Sequence, residues 1–179
     1  MTRIALLVLC GMTALAQDSP DPAMVGKWVG VLEYRDYSEP ATSTKRVKLQ
    51  TWLTVEGMAG GLQFQYVYDD GPSKTVTELE RVRIDTVKAR YSVVDDKGIV
   101  KDGYAIQGLE KLANGRGTLI LTGPGTENDK PVAVRTTMRI GRNILEITRE
   151  TAPEGAAFMF RHAYTFVRAT PPSTTAITR

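Results

Sequence analysis

Apolar and polar residues alternate with a period of two along most of the chain, from residue 27 to residue 168. In the first such run, VGKWVGVLEYRDY at 25–37, Trp28, Leu32 and Tyr34 share one face and Lys27 and Glu33 the other. Successive side chains of a strand point to opposite sides of the sheet, so this period is typical of a half-buried strand. No window after the first 16 residues shows a helical period with caps. The pattern predicts an all-β chain.

Turn signals divide the alternating region into about ten short runs. The strongest are Asp69-Asp70-Gly71-Pro72, the segment at 95–98, Asn114-Gly115 and the segment at 141–143. Asn-Gly favours a two-residue type I′ hairpin, which we expect between a run ending at Ile106 and one starting at Gly117. Tight connections between successive strands predict an up-and-down antiparallel β-barrel of about 8–10 strands.

The N-terminus has the form of a secretory signal. Arg3 supplies a positive charge, residues 4–16 are uncharged, and Ala14-Leu15-Ala16 has the small-x-small form of a cleavage site. The uncharged run is shorter than the roughly 20 residues that cross a bilayer as a helix. We therefore expect a signal peptide at 1–16, a periplasmic or secreted protein, a leader at 17–25 and a barrel domain at 26–168. The Pro-Pro segment within 169–179 predicts a disordered tail.

Cysteine content and charge exclude several kinds of site. Cys10 is the only cysteine, and Leu9 before it is too large for a lipoprotein signal, so anchoring at Cys10 is disfavoured. Cleavage after Ala16 leaves no disulfide and no cysteine-bound metal. The formal charge of +3 is spread along the chain, unlike the basic stripe of a nucleic-acid-binding protein. The outward positions carry charges that a membrane-spanning barrel would not expose to lipid: Lys27, Glu33, Arg35, Arg46, Lys48, Arg135 and Arg139.

Trp28 stands near the start of the first run and Arg168 at the end of the last. In a barrel with an even number of strands, the last strand lies antiparallel to the first, so these two positions meet. A guanidinium stacked on an indole gains about 0.5–2 kcal/mol from the cation–π contact. We expect this pair to close one end of the barrel.

Gly26-Lys27-Trp28 at the first strand, the train of antiparallel strands and Arg168 at the last strand resemble the lipocalin and fatty-acid-binding superfamily. The chain is similar to exported bacterial proteins with a lipocalin-like domain. The resemblance implies that Gly26, Trp28 and Arg168 pack at the closed end and that the open end admits a small hydrophobic or amphipathic ligand. It implies neither a cofactor nor a chemical reaction.

Parity with Trp28 sends a set of aromatic residues into the lumen. They fit a small apolar ligand with one polar end, but side chains of this size could equally fill the barrel and leave no cavity. The alternative to a ligand-binding protein is thus a packed barrel that serves as a structural or interaction module of the cell envelope. The residues predicted to bind a ligand are Tyr34, Phe64, Tyr66, Phe160, His162 and Tyr164.

His162, the only histidine, and the Glu78/Glu80 pair are the candidates for chemistry. A metal site needs three or four ligands, and no second histidine is present to help. A general base needs an orienting carboxylate, which only Asp36 or the Glu78/Glu80 pair could supply. We favour a hydrogen bond from His162 to a neighbouring tyrosine and a solvated strand edge for the two glutamates, which leaves no catalytic residue.

Trp52 lies on the face opposite Val47, Leu49 and Leu53, so it is predicted to point outward near Val29. An exposed tryptophan can nucleate a contact surface for a second subunit or an envelope partner. It could also lie beneath an extended loop at 124–131. The sequence is compatible with a monomer or a weak homodimer.

Overall fold

The computed structural model describes residues 19–40 and 43–169 of the 179-residue chain. The predicted signal peptide lies outside the described residues, as does all of the predicted tail except Ala169.

Ten antiparallel strands form one closed barrel in which each strand pairs with its neighbours in sequence and β10 pairs with β1. This confirms the predicted up-and-down barrel. The strands are β1 (Gly26–Arg35), β2 (Arg46–Met58), β3 (Gly61–Asp69), β4 (Thr75–Asp85), β5 (Arg90–Val94), β6 (Val100–Gln107), β7 (Gly117–Glu127), β8 (Lys130–Ile140), β9 (Ile144–Ala152) and β10 (Met159–Arg168).

Two short helical turns correct the expectation of a chain without helix. They are α1 (Asp21–Met24) and a 3-10 helix at Leu109–Lys111. Neither is long enough to show a helical period, so pattern reading could not detect them. Among the described residues, no helix is long and apolar enough to span a membrane.

The core lies at the end of the barrel where β1 begins. Trp28, Leu53, Phe64 and Phe166 point inward and are almost fully buried. Burying a side chain of this kind stabilises a fold by about 1.5–3 kcal/mol. Met24 of α1 is completely buried among them, so the helical turn completes this core.

The Asn114-Gly115 turn has the predicted conformation but does not join β6 directly to β7. Both residues have positive φ, 53° and 71°, as a type I′ turn requires. The turn closes a small bridge between Ala113 and Arg116 and is separated from β6 by the 3-10 helix. A Cβ on Gly115 would lie 2.5 Å from the carbonyl oxygen of Ser19. The glycine thus allows the turn to press against the segment that enters α1.

The segment at 124–131 is a β-hairpin, so the expected loop over Trp52 is absent. β7 and β8 pair from Gly117 and Ile140 to Glu127 and Lys130, turning at two residues of positive φ, Asn128 and Asp129. Both prolines of this hairpin stand where their strand lacks its second neighbour. β6 pairs with β7 only from Ile120 to Thr122, before Pro124, and β9 pairs with β8 only from Ala133 onward, after Pro131. At such an edge there is no neighbouring strand to accept a hydrogen bond, so the backbone N–H that proline lacks is not needed.

The wall is incomplete at the open end. β4 pairs with β5 only from Arg81 to Asp85, so the first half of β4 has no partner on that side. The unpaired parts of β4 and β7 flank the short β5–β6 hairpin. Backbone pairing of the wall is therefore missing on both sides of this hairpin at the open end.

Candidate ligand-binding cavity in the barrel lumen

A cavity of about 680 Å³ occupies the half of the lumen away from Trp28. Its volume falls in the range of about 300–1,000 Å³ that is typical of small-molecule sites. All seven tyrosines of the chain line it, so its wall is aromatic and carries hydroxyl groups. They are Tyr34, Tyr37, Tyr66, Tyr68, Tyr91, Tyr104 and Tyr164.

Stacked rings of β3 and β10 form one side of the cavity. The ring centroid of Tyr66 lies 5.1 Å from that of Tyr164 and 6.1 Å from that of Tyr68. The ring planes of Tyr66 and Tyr68 are only 1° apart. Tyr164 in turn stacks on Phe166 at 5.6 Å. Alternation along each strand produces this stack, because residues two apart lie on the same face. The rings give a rigid apolar surface against which a flat or aliphatic body can lie.

The two glutamates of β4 line this cavity from a strand edge, because β4 pairs with β5 only from Arg81 onward; Glu78 is exposed and Glu80 is partly buried. The hydroxyl of Tyr68 donates to Oε2 of Glu78 at 2.8 Å, and that of Tyr91 donates to Oε1 of Glu80 at 3.1 Å. The oxygens of Tyr68 and Tyr164 are also hydrogen-bonded, at 2.9 Å. Burial raises the pKa of Glu80 above its ordinary value. Parity alone placed the glutamates on one face and left the choice of side open.

His162 lies at the cavity wall in cross-strand register with Arg149 of β9. Burial, together with the positive charges of Arg149 and Arg161, lowers its pKa to about 4. Its ring contacts Tyr164 edge to face with centroids 5.4 Å apart, in place of the predicted hydrogen bond to a tyrosine. At neutral pH it is an uncharged imidazole with little tendency to accept a proton. Asp36, the other carboxylate considered, accepts hydrogen bonds from Ser38 instead.

Phe160 does not line the cavity, because a β-bulge interrupts β10 between Phe160 and His162. The extra residue, Arg161, reverses the alternation, so simple counting from Arg168 gives the wrong side for residues before the bulge. Phe160 instead packs beneath the guanidinium of Arg46, 4.6 Å from its ring centroid. Arg161 takes its place at the cavity. No sequence signal marks the bulge.

A cluster of charged groups spans one side of the open end. Glu127 of β7 pairs with Arg161 at 2.8 Å and with Arg35 of β1 at 3.6 Å, and it accepts a hydrogen bond from Thr151 at 2.6 Å. The guanidinium of Arg35 also lies 4.7 Å from the ring centroid of Tyr37. These contacts join β1, β7, β9 and β10 along one arc of the mouth.

Trp28 and Arg168 are in contact at the closed end. The guanidinium carbon of Arg168 lies 4.1 Å from the ring centroid of Trp28. The guanidinium nitrogens donate to the carbonyls of Ala23 and Val25, each at 2.9 Å. The indole N–H donates to the carbonyl of Met24 at 2.9 Å. Gly26 has a φ of 137°, and a Cβ there would lie 2.4 Å from the guanidinium of Arg168. The Gly-x-Trp motif thus makes room for the arginine and stacks against it.

The structure brings together five of the six residues predicted to bind a ligand: Tyr34, Phe64, Tyr66, His162 and Tyr164. Sequence reasoning missed Tyr68, Tyr91, Tyr104 and Arg149. Tyr68 continues the alternation of Phe64 and Tyr66 and could have been included on that signal. Arg149 could not, because arginine on a strand is usually read as an outward residue. In the described part of the chain, no group of three or more histidine, cysteine or carboxylate side chains could hold a metal ion.

No family model and no curated protein matched the sequence. A search of solved structures found the S-type phycobiliprotein lyase CPES from Guillardia theta, with a TM-score of 0.51 and 10% sequence identity. The similarity covers 84% of this chain and 90% of the lyase chain, so it spans the whole barrel. At this identity it concerns the fold alone. Together with the closed barrel and its Trp28–Arg168 end, it shows that this chain has a lipocalin-like β-barrel fold.

Proposed function

We propose that this protein is an exported, lipocalin-like binding protein that holds a small amphipathic molecule in its barrel lumen. The observation that carries the proposal is the aromatic cavity of about 680 Å³. A barrel that only needed a core would fill this space, because protein interiors reach the packing density of organic crystals. Side chains fill the lumen at the end around Trp28, so the alternative of a packed barrel describes that end alone.

The lining favours a molecule with an apolar body and polar groups over a plain hydrocarbon. Phe64, Tyr66 and Leu32 offer ring and aliphatic surface, while Glu80 and Arg149 offer charge. A hydrocarbon placed against these charges would desolvate them without replacing their hydrogen bonds. The similarity to a phycobiliprotein lyase fold is compatible with ligand binding and does not identify the ligand.

Fluorescence titration with the neutral probe N-phenyl-1-naphthylamine tests the proposal. We expect saturable binding of one probe per chain. Tyr66→Trp should weaken it at least about tenfold, because the larger ring intrudes on the cavity. Gln65→Trp is the matched control, since Gln65 is the exposed neighbour on the same strand. Absence of saturable binding, or equal effects of the two variants, would contradict a site in the lumen.

Export is part of the proposal and rests on Arg3, the uncharged run at 4–16 and Ala14-Leu15-Ala16. Expression of the full chain in a bacterium, followed by fractionation and N-terminal sequencing, tests it. We expect a periplasmic or secreted product that begins at Gln17. Ala16→Arg should block cleavage by removing the small residue next to the scissile bond. A cytoplasmic product that retains residue 1 would overturn this part.

A contact surface on the outer wall is the second candidate function. Trp52 is 43% exposed and Val167 is 53% exposed. Cross-strand register joins them through Val29 of β1 and continues to Val67 of β3, so an apolar row crosses four strands. Analytical ultracentrifugation of wild type and Trp52→Ala tests for a weak homodimer. A monomer at all concentrations, with no envelope protein captured by crosslinking, would argue against this surface.

A further inference from the structure

Arg149 differs from Arg35 and Arg161, the arginines of the rim, and from Arg81 of the cavity wall, whose Nε donates to Oε1 of Gln63 at 3.3 Å. Arg35 and Arg161 both pair with Glu127 at the rim. On the outer wall, Arg139 pairs with Glu146 at 2.6 Å. Among residues 19–40 and 43–169, no carboxylate oxygen lies within 4.0 Å, the limit for an ion pair, of a guanidinium nitrogen of Arg149. Its positive charge therefore faces the cavity without a partner of opposite sign in contact.

Tyr104 of β6 holds the guanidinium in place. Nη2 of Arg149 donates to the Tyr104 hydroxyl at 3.3 Å, and the guanidinium carbon lies 5.8 Å from the ring centroid. Gly125 of β7 lies beside the guanidinium, since a Cβ there would be 3.8 Å from Nη2, an ordinary contact distance. A guanidinium carries five N–H groups in a fixed fork, and the contact with Tyr104 leaves most of them available.

Among the described residues, four carboxylates line the same cavity. Asp70 pairs with Lys74, Asp102 is exposed, and the two glutamates of β4 accept hydrogen bonds from tyrosines. Glu78 accepts from Tyr68 and Glu80 from Tyr91, so each has a hydroxyl donor in place. Burial raises the pKa of Glu80, although the nearby positive charge of Arg149 opposes that shift. The neighbouring His162 is uncharged at neutral pH, since its pKa is about 4. An arginine keeps its charge at neutral pH. Of the described cations that line the cavity without an ion pair, Lys101 is exposed and Arg81 donates to Gln63, so Arg149 is the one best placed for a ligand of opposite charge.

We propose that Arg149 binds an acidic group of the ligand, a carboxylate, sulfonate or phosphate, and that the molecule held in the lumen is consequently an amphipathic anion. The inference rests on the proposed function, because it assigns a ligand class to the same cavity. The acidic group forms charge-assisted hydrogen bonds with the fork of Arg149, and the apolar body lies against the rings of Tyr66 and Tyr164. Planar anions with two oxygens fit the fork best.

Two probes that share one body provide the test. 1-Anilinonaphthalene-8-sulfonate carries a sulfonate, and N-phenyl-1-naphthylamine is the same ring system without it. We expect Arg149→Gln to weaken the sulfonate probe about 10- to 100-fold, the effect of a charged hydrogen-bonded contact. Binding of the neutral probe should change less than about threefold. Arg139→Gln, which removes an equal charge from the outer wall, should leave both affinities unchanged.

Arg149→Lys separates the effect of the positive charge from that of the guanidinium fork. It keeps the positive charge and loses the fork, so it should retain part of the preference for the sulfonate probe. Circular dichroism and thermal unfolding of each variant establish that it is folded. Equal weakening of both probes in Arg149→Gln, or no weakening of either, would overturn the assignment of an anion to Arg149 while leaving a binding cavity. Failure of both probes to bind wild type would overturn the proposed function and this inference with it.

Discussion

The two ends of the barrel use aromatic residues in opposite ways. At the closed end, Trp28 is 1% exposed, donates its only N–H to Met24 and is covered by Arg168. At the open end, Tyr68 stacks on Tyr66 and Tyr164 lies tilted against it, and all three line the cavity. The indole N–H of Trp28 and the guanidinium of Arg168 both bond to backbone carbonyls, whereas the hydroxyls and charges of the cavity share a few contacts among themselves. The same alternation of residues thus produces a packed core at one end and a cavity at the other.

The difference arises from what covers each end. α1 and the turn at Asn114-Gly115 bring extra side chains and backbone to the closed end, where Met24 fills the remaining space. The open end receives only the rim cluster around Glu127, and the wall beside β4 lacks strand pairing. A barrel of ten strands is wider than side chains from its own wall can fill without such additions. Stability is therefore expected to reside at the closed end and ligand binding at the open end.

The largest effect expected from this division is that of Trp28→Ala. It removes the largest buried ring and its hydrogen bond to Met24 and leaves a cavity, which should lower the free energy of unfolding by about 3–5 kcal/mol. Urea unfolding followed by circular dichroism measures this change. Trp52→Ala, which removes a half-exposed ring, is the matched control and should cost less than about 1 kcal/mol. Similar losses for the two variants would remove the distinction between the core and the outer wall.

A pH dependence is expected from His162 at the cavity. Its pKa of about 4 in the folded protein lies below the ordinary value of 6.5. Between these values the unfolded chain binds a proton that the folded protein does not, so stability falls as the pH drops from 6.5 towards 4. The full loss is roughly 3 kcal/mol. Urea unfolding at pH 7 and pH 4.5 should show a smaller loss for His162→Gln, and an unchanged loss would contradict the burial of a neutral imidazole.

Arg168→Met probes the closed end without opening a large cavity. It removes the cation–π contact with Trp28 and the hydrogen bonds to the carbonyls of Ala23 and Val25, which should cost about 2 kcal/mol. Thermal unfolding measures the change. Because the site lies away from the cavity, the affinity for N-phenyl-1-naphthylamine should stay within about twofold of wild type. Loss of probe binding in a folded Arg168→Met protein would show that the two ends are coupled.

Tyr68→Phe should have the smallest effect on stability. It removes one hydroxyl, bonded to Glu78 and Tyr164, from a cavity that water can enter, so the loss should be about 1 kcal/mol or less. Probe affinity is the more sensitive measurement, because the freed oxygens of Glu78 and Tyr164 alter the polarity of the wall. A loss of several kcal/mol would mean that the cavity side chains form a core like that around Trp28.

The sequence by itself determined the barrel and its closed end. A period of two between turn signals is enough to specify strands, and consecutive hairpins specify an up-and-down order, so ten strands and the meeting of Trp28 with Arg168 follow from local pattern. Parity also placed Tyr34, Phe64, Tyr66, His162 and Tyr164 at one cavity. These properties depend on spacing along the chain, which the sequence records directly.

Only the tertiary structure decided which side chains complete the lumen. The bulge at Arg161 reversed the side of Phe160, and the β3–β4 register set Glu78 and Glu80 opposite the inward rings of Tyr66 and Phe64. The partnership of Arg149 with Tyr104 joins residues 45 positions apart in sequence. Such features depend on the register between strands and on what covers each end of the barrel. Because many long-range contacts set these together, no local period in the sequence encodes them.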